Sequence, residues 1–443
     1  MGLTAGGGTE REVGAQLAGI VGAGHLLSGE AAAGFAVDGT RPRWAVLPGT
    51  VGEVSRCLAL AADRRLAVAP SGRGSRLGWG NVPRRLDLVL SVRRLDRVLD
   101  WEPADLTISV EAGVGLSALN AQLRSRRQSL PLDPAGVARS SVGGLVATAA
   151  AGPYRARYGT MRDSLLGLTV VQADGTVVKG GGRVVKNVTG YDMPKLHVGA
   201  LGTLGVIVET HLRLYPMPAE EGHWLFGFTS PEAALEAAVA IRETPVLVSR
   251  LQLLDGTTLA RLGARPGPAA GLAVTIGSVP EAVRAQGERI AGVCRGGTAM
   301  PLPEPERWWQ GASDAAWPGD AESSLALRIG TRPTDVVKAW RAVEGASAGA
   351  GLSLSTTAEL ANGVLHAVLS GAGVAAAPAL VGRLREALAP FGGTCVVEHA
   401  PPSVKRELDA WGDVGPALAS MRRLKDELDP GGVLNPGRFV GGI

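Results

Sequence analysis

The sequence predicts an α+β protein of two domains: a glycine-rich α+β unit, then an antiparallel sheet with covering helices, with a C-terminal segment returning to the first domain. Three observations carry this. At 443 residues the chain exceeds what one hydrophobic core usually spans. Short helix and strand patterns alternate along it, and PMPAEEG (216–222) breaks them with Pro, Gly and charge just after a half-buried strand. The expected division is 1–35 as an N-terminal helical segment, 36–217 as the first domain, 218–405 as the second and 406–443 as the returning segment.

The elements follow in order. Thr50 and Glu53 form a capping box for a helix whose apolar face is Val54, Cys57, Leu58 and Ala61. LAVA (66–69) is a short buried strand leading into the loop APSGRGSRLGWG (69–80), and DLVLSV (87–92) and ISVEAG (108–113) are further strands. Leu116, Leu119 and Leu123 mark a helical face. LGLTVVQADGTVVKGGG (166–182) is a hairpin turning at Asp174-Gly175. From Val206 to Tyr215, Val206, Val208, Leu212 and Leu214 alternate with Glu209, His211 and Arg213, as in a half-buried strand.

Beyond the break, HWLFGFT, VLVSRLQLLD, GLAVTIGS (271–278), SLALRIG (324–330) and CVVEH (395–399) read as strands. Between them lie a helix capped by Ser230 with Pro231 in its first turn, the helix PEAVRAQGERIAGVC and the helix PALVGRLREALAPFGG. This order suits an antiparallel sheet with helices on one face. The tail GPALASMRRLKDELDPGGVLNPGRFVGGI begins as a helix and ends in an arm too apolar to be free.

Composition narrows the function. Hydrophobic residues make up 45% and charged residues 19%, a globular balance, while 63 glycines and 28 prolines imply many turns and close backbone approaches. The net charge of +4 is mild and the arginines are scattered, which sets nucleic acid aside. MGLTAGGGTEREVG lacks the pattern of a secretory signal, and no apolar run reaches membrane-spanning length. The expected location is cytoplasmic, with any membrane attachment peripheral and made through partners. Cys57, Cys294 and Cys395 stand far apart with no metal-binding spacing, so they read as buried thiols and no metal site is expected.

Three glycine-rich segments lie in the first domain. In the first, Gly72, Gly74 and Ser75 allow consecutive N–H groups to converge on an anion, and Arg73 and Arg76 add positive potential. The loop fits neither GxGxxG nor GxxxxGK[ST], so Rossmann and P-loop readings fail. Alone, it reads more readily as a structural loop than as a ligand cradle. The second segment, PLDPAGVARSSVGGLVATAAAGPYRARYGT (131–160), is uncharged and small over 140–154 and offers Ser141 and Thr148 to a large planar or phosphorylated ligand. The third, RVVKNVTGYDMPKLHVGALGTLGVIVE (183–209), leads through Gly202-Thr203-Leu204-Gly205 into a strand. Three such surfaces point to one extended ligand.

In order and spacing, PSGRGS, SSVGGLVAT…GPYRARYGTMRDSLLGLTVVQADGTVV and KNVTGYDMPKLHVGALGTLGVIVE resemble the PCMH-type (vanillyl-alcohol oxidase type) FAD-binding domain, over roughly residues 36–217. LKDELDPGGVLNPGRF resembles the C-terminal segment of the same flavoenzymes, and GGGRVVKNVTGYDMPKL is most similar to the FAD-binding subunit of glycolate oxidase. The resemblance implies that Pro70, Ser71, Gly72, Arg73, Gly74 and Ser75 wrap the FAD diphosphate. It further implies that Asp133, Ser141, Gly143, Gly144, Thr148, Gly152, Tyr158 and Gly159 line the flavin and ribityl path, and that Gly202, Thr203 and Val206 sit near the end of the cofactor.

Two departures from the family pattern shape the expectation. Tethering relatives carry a His in or near the first glycine loop, or a Cys further on; here Arg76 follows Ser75, so the FAD is expected to be noncovalent. Larger hydroxy-acid dehydrogenases carry an HxGDGNxH-like run, whereas this chain has LANGVLHAVLSG (360–371) with only His366, which in an apolar strand reads first as a core residue. His197 and His211 read as structural. Lys186, Asn187, Tyr191 and Asp192 either orient substrate or brace a loop. Arg155 and Arg157 are candidates to hold a carboxylate, and no catalytic base emerges.

The function these residues imply is that of an FAD-binding subunit that oxidises a small 2-hydroxy acid to the 2-oxo acid beside a larger FAD-binding subunit and an iron–sulfur subunit. A standalone FAD-dependent 2-hydroxy-acid dehydrogenase and a cofactor-holding assembly subunit without chemistry of its own are the alternatives.

Overall fold

The computed structural model describes residues 5–183, 191–264, 267–318 and 322–443, with side chains from residue 10 onward. A helix, Ala5–Val21, precedes a four-stranded sheet in the order Leu26–Ser28, Trp44–Val46, Leu88–Ser91, Val68–Ser71. Its last three strands run parallel. Thr50 caps the helix Val51–Asp63 by accepting from the Glu53 N–H at 3.1 Å, while the Glu53 carboxylate reaches back one residue further than a capping box requires, to the Gly49 N–H. Val54, Cys57, Leu58 and Ala61 are its buried face.

A five-stranded antiparallel sheet follows in the order Val98–Glu102, Thr107–Glu111, Val206–Arg213, Leu165–Val171, Val177–Gly181. The hairpin closes at Asp174-Gly175, where Gly175 has φ +90° and its carbonyl accepts from the Ser55 hydroxyl. One hydrophobic cluster joins both sheets and their helices. Cys57 lies in it, Cys294 and Cys395 lie in the second domain's core, and burial pushes the three thiols up to between about 11 and 12.

The second domain is an eight-stranded antiparallel sheet. Its order is Thr298–Met300, Glu220–Phe228, Ala270–Ser278, Val248–Asp255, Ser353–Glu359, Val364–Ser370, Ser324–Gly330, Thr394–His399. The first strand begins at Glu220, inside the stretch read from sequence as a break. Helices Pro231–Arg242, Pro280–Val293, Val336–Ser347 and Ala377–Leu388 cover one face. The other face is not bare as expected: Gly256–Arg261 and Pro305–Asp314 pack Leu259, Trp308 and Trp309 against Leu225, Leu254 and Ala273 at one end of it.

The returning segment is a helix, Ala417–Leu428, followed by an extended arm that runs beside the strand Val68–Ser71. There the Val68 N–H donates to Val433 O and the Asn435 N–H to Val68 O. Buried Lys425 ties the arm down by donating to the carbonyls of Thr203 (2.9 Å) and Leu434 (2.8 Å) and to the Asp429 carboxylate, which also accepts from the Val433 and Leu434 N–H groups. Replacing Asp429 with Asn leaves the Lys425 ammonium buried without its counter-charge. Urea unfolding of Asp429→Asn is expected to show a loss of about 3–5 kcal/mol.

Candidate active site

The glycine loop leaves the edge strand Val68–Ser71 and turns across the start of the helix Val142–Thr148. No side chain fits at Gly72: a Cβ there would stand 2.1 Å from the Ser141 hydroxyl, which itself caps the helix by accepting from the Gly144 N–H. Among the described residues, the backbone N–H groups of Arg73, Gly74, Ser75 and Arg76 have no hydrogen-bond acceptor. Unpaired amides in a glycine loop form an anion cradle.

These amides open on a crevice between the glycine loop, the helix Val142–Thr148 and the C-terminal arm. Twelve residues expected at the cofactor meet there: Pro70, Ser71, Gly72, Arg73, Gly74, Ser75, Ser141, Gly143, Gly144, Thr148, Gly202 and Val206. The donor set suits a dinucleotide diphosphate, so these residues fit FAD. Asn435 and Arg438 of the C-terminal arm line the same crevice and were not foreseen. Arg438 is fully buried and donates to the carbonyls of Leu77 and Trp79 and to Asn435, which holds the far side of the glycine loop.

The other five expected residues stand elsewhere. Gly152 lines a second cavity, with its Cα so close to Asp133 that a Cβ would lie 2.1 Å from the Asp133 carbonyl oxygen. Asp133 is buried at the junction of the domains, accepting from the Tyr154 N–H at 2.9 Å and facing Arg250 Nε at 3.0 Å. Tyr158 packs edge-on between Tyr154 and Tyr215. Gly159 turns the chain at φ +75° against the Asp163 side chain, and Thr203 bonds the Ala200 carbonyl while its own carbonyl receives Lys425. Thr203 thus spends its hydroxyl and carbonyl on the protein itself, whereas Gly152 lines the second cavity and Asp133 and Tyr158 line a separate pocket beside Arg250.

Arg76 and Thr148 belong to both the crevice and the second cavity, which lies between the first domain and the second sheet. Arg76 donates to Ser140 at 2.7 Å and to the Ala135 carbonyl, and burial brings its guanidinium down to about 10. Ala149, in the left-handed region at φ 50°, Trp79 and Trp317 form further wall; the two indole rings stand 6.0 Å apart. Arg155 lines this cavity and Arg157 does not.

The sheet turns a polar row toward it. Gln252 pairs in register with Glu359, and Thr357, His366 and Arg328 pair in register across the next strands. Residues one position away, Leu253, Ala358, Leu365, Leu327 and Val397, enter the core on the opposite face. Arg328 meets Glu398 at 2.8 Å, and His366 Nε2 stands 3.7 Å from Glu359 Oε1. Contrary to the core role expected of it, His366 therefore faces the cavity. The alternation of Arg250, Gln252 and Leu254, and of Val364 and His366, along otherwise apolar strands was the signal for this surface.

His211 bonds Ser109 at 2.8 Å, and burial holds the His197 imidazole down to about 4, so both serve structure. Tyr191 is exposed and away from both cavities, while Lys186 and Asn187 lie outside the described residues. No helix among the described residues is long and apolar enough to cross a membrane.

Comparison with known proteins agrees with this geometry. Residues 42–181 match the family model of the FAD binding domain, and residues 217–439 that of the C-terminal domain of FAD linked oxidases. Glycolate oxidase subunit GlcD of Bacillus subtilis is 26% identical over 90% of this chain and 89% of its own. The probable mitochondrial D-lactate dehydrogenase of Danio rerio is 30% identical over 90% of this chain and 84% of its own. Among solved structures, p-cresol methylhydroxylase with substrate bound superposes with a TM-score of 0.76 at 17% identity, covering 99% of this chain and 97% of that one. The chain belongs to the FAD-linked oxidases of the PCMH-type fold and is an FAD-dependent oxidoreductase.

Proposed function

We propose that this chain oxidises a 2-hydroxy acid to the corresponding 2-oxo acid, with FAD held without a covalent bond in the crevice and the acid in the adjoining cavity. The observation that carries the reading is His366 beside Glu359 in a cavity that shares Arg76 and Thr148 with the crevice. The relatives named for glycolate and D-lactate supply the substrate class. On this reading residues 36–217 with 406–443 hold the cofactor and 218–405 cover the substrate.

Oxidising a 2-hydroxy acid removes the hydroxyl proton to a base and the hydrogen on the carbinol carbon as hydride. Bound FAD supplies the hydride acceptor. Arg155, which no described carboxylate pairs, holds the substrate carboxylate; Arg328 is already neutralised by Glu398. His366 takes the hydroxyl proton at Nδ1, which has no partner in the protein, and Glu359 steadies the resulting imidazolium from the Nε2 side. Base and carboxylate holder on one chain favour a catalytic subunit over a cofactor-holding one.

Arg76, which follows Ser75 where tethering relatives carry a His in or near the loop, supports a noncovalent flavin. Electrons leave for a partner: the Bacillus relative is a subunit by name, and we assign this chain a place beside a larger FAD-binding subunit and an iron–sulfur subunit. A cytoplasmic location, with membrane attachment only through such partners, belongs to the same assignment.

Acid denaturation of the purified protein is expected to release all of its FAD into the supernatant, and anaerobic addition of a 2-hydroxy acid to bleach the flavin absorbance. Flavin left on the precipitate contradicts the noncovalent site, and an unbleached spectrum with every 2-hydroxy acid contradicts the reaction. Gly72→Ala, forcing Cβ against Ser141, is expected to weaken FAD binding by about tenfold or more, read as flavin content at equal protein concentration. His366→Asn is expected to slow flavin reduction by about 10²–10⁴-fold while retaining FAD.

A further inference from the structure

The cavity holds more unpaired polar groups than a small hydroxy acid can satisfy. Gln252, Ser313 and Glu359 are 2%, 3% and 4% exposed, yet among the described residues Gln252 Oε1, Ser313 Oγ and Glu359 Oε2 have no hydrogen-bond partner. Trp79 Nε1 and His366 Nδ1 on the same cavity are likewise unpartnered. Most buried polar groups in folded proteins are paired, and one left unpaired is destabilising. Glycolate brings one carboxylate and one hydroxyl, which Arg155 and His366 absorb. The oxygens of Gln252, Ser313 and Glu359 then remain unanswered.

Their chemistry is specific. Gln252 Oε1 and Glu359 Oε2 accept, Trp79 Nε1 donates, and the Ser313 hydroxyl does either. A ligand whose side chain both donates and accepts at several points answers all of them directly, and an alkyl chain or a second carboxylate does not: a carboxylate set against Glu359 is repelled. The tilted pair Trp79 and Trp317 offers aromatic faces to C–H bonds along the same chain. A run of CH–OH units has both properties.

Resting on the 2-hydroxy-acid reading above, we infer that the substrate is a polyhydroxylated 2-hydroxy acid of the aldonic class, its extra hydroxyls bound by Gln252, Ser313, Glu359 and Trp79. The hydroxyl next to the carboxylate is the one oxidised, and the others only position.

The test uses the FAD-loaded protein and its Gln252→Leu and Ser313→Ala variants with D-gluconate, D-lactate and glycolate. In anaerobic flavin reduction, gluconate is expected to half-saturate at about tenfold or more below glycolate, and each variant to lower the gluconate-to-glycolate preference by about tenfold. In photoreduced protein, where no turnover occurs, gluconate is expected to quench tryptophan fluorescence at concentrations where glycolate does not. If glycolate or D-lactate reduces the flavin as readily as gluconate, the inference is overturned and the 2-hydroxy-acid reading stands. If none of the three reduces it, that reading itself fails. Loss of FAD from Gln252→Leu or Ser313→Ala also overturns the inference, since those groups then partner the cofactor.

Discussion

A carboxylate and a guanidinium from different domains meet behind the second cavity. Asp133 stands on the loop before the glycine-rich helix and Arg250 on the second sheet, and both are buried. Desolvation pushes the Asp133 carboxyl up to about 6 even with Arg250 beside it, so the pair is held by its surroundings as much as by its charge. Those surroundings are the Tyr154 ring, 3.6 Å from the guanidinium, and the Trp309 ring at 5.1 Å. The same carboxylate takes the Tyr154 N–H, and the same residue's carbonyl leaves room only for Gly152. One interaction thus sets the distance between the loop 149–155 and the polar row of the sheet. A buried pair of this kind adds little net stability, and its effect here is to fix register between two walls.

The second sheet is built as two half-molecules back to back. Its strands give one parity to an apolar core under four helices and the other to Arg250, Gln252, Glu359, His366, Arg328 and Glu398. Such a face is stable only where something covers it, and the first domain is that cover. The helix Pro305–Asp314 covers one end with Trp308 and Trp309, which leaves the polar row to meet the loop 149–155 across the second cavity.

Much of this was legible from residue patterns. The 2-residue alternation from Val206 to Leu214, the Ser230–Pro231 helix start and the Asp174-Gly175 turn each have a local cause and were placed correctly. The glycine loop at 70–75 was legible because backbone approach demands glycine. Less visible was anything set by contact between distant segments. Asp133 and Thr203 sit in sequence among crevice residues yet point into the protein, and Arg438 reaches the glycine loop from the far end of the chain. SLSTTAEL hid a central strand because hydroxyl side chains blur hydrophobic periodicity, and PERWWQGASD hid a helix too short for its period to register.

The C-terminal arm has a consequence for biosynthesis. Residues 70–207 supply nearly the whole cofactor crevice, but Asn435 and Arg438 complete its wall and hold the loop 72–79 from behind. A chain still on the ribosome can pair the strands of both first-domain sheets long before those residues emerge. The crevice wall is therefore complete only once the arm has docked beside the strand Val68–Ser71.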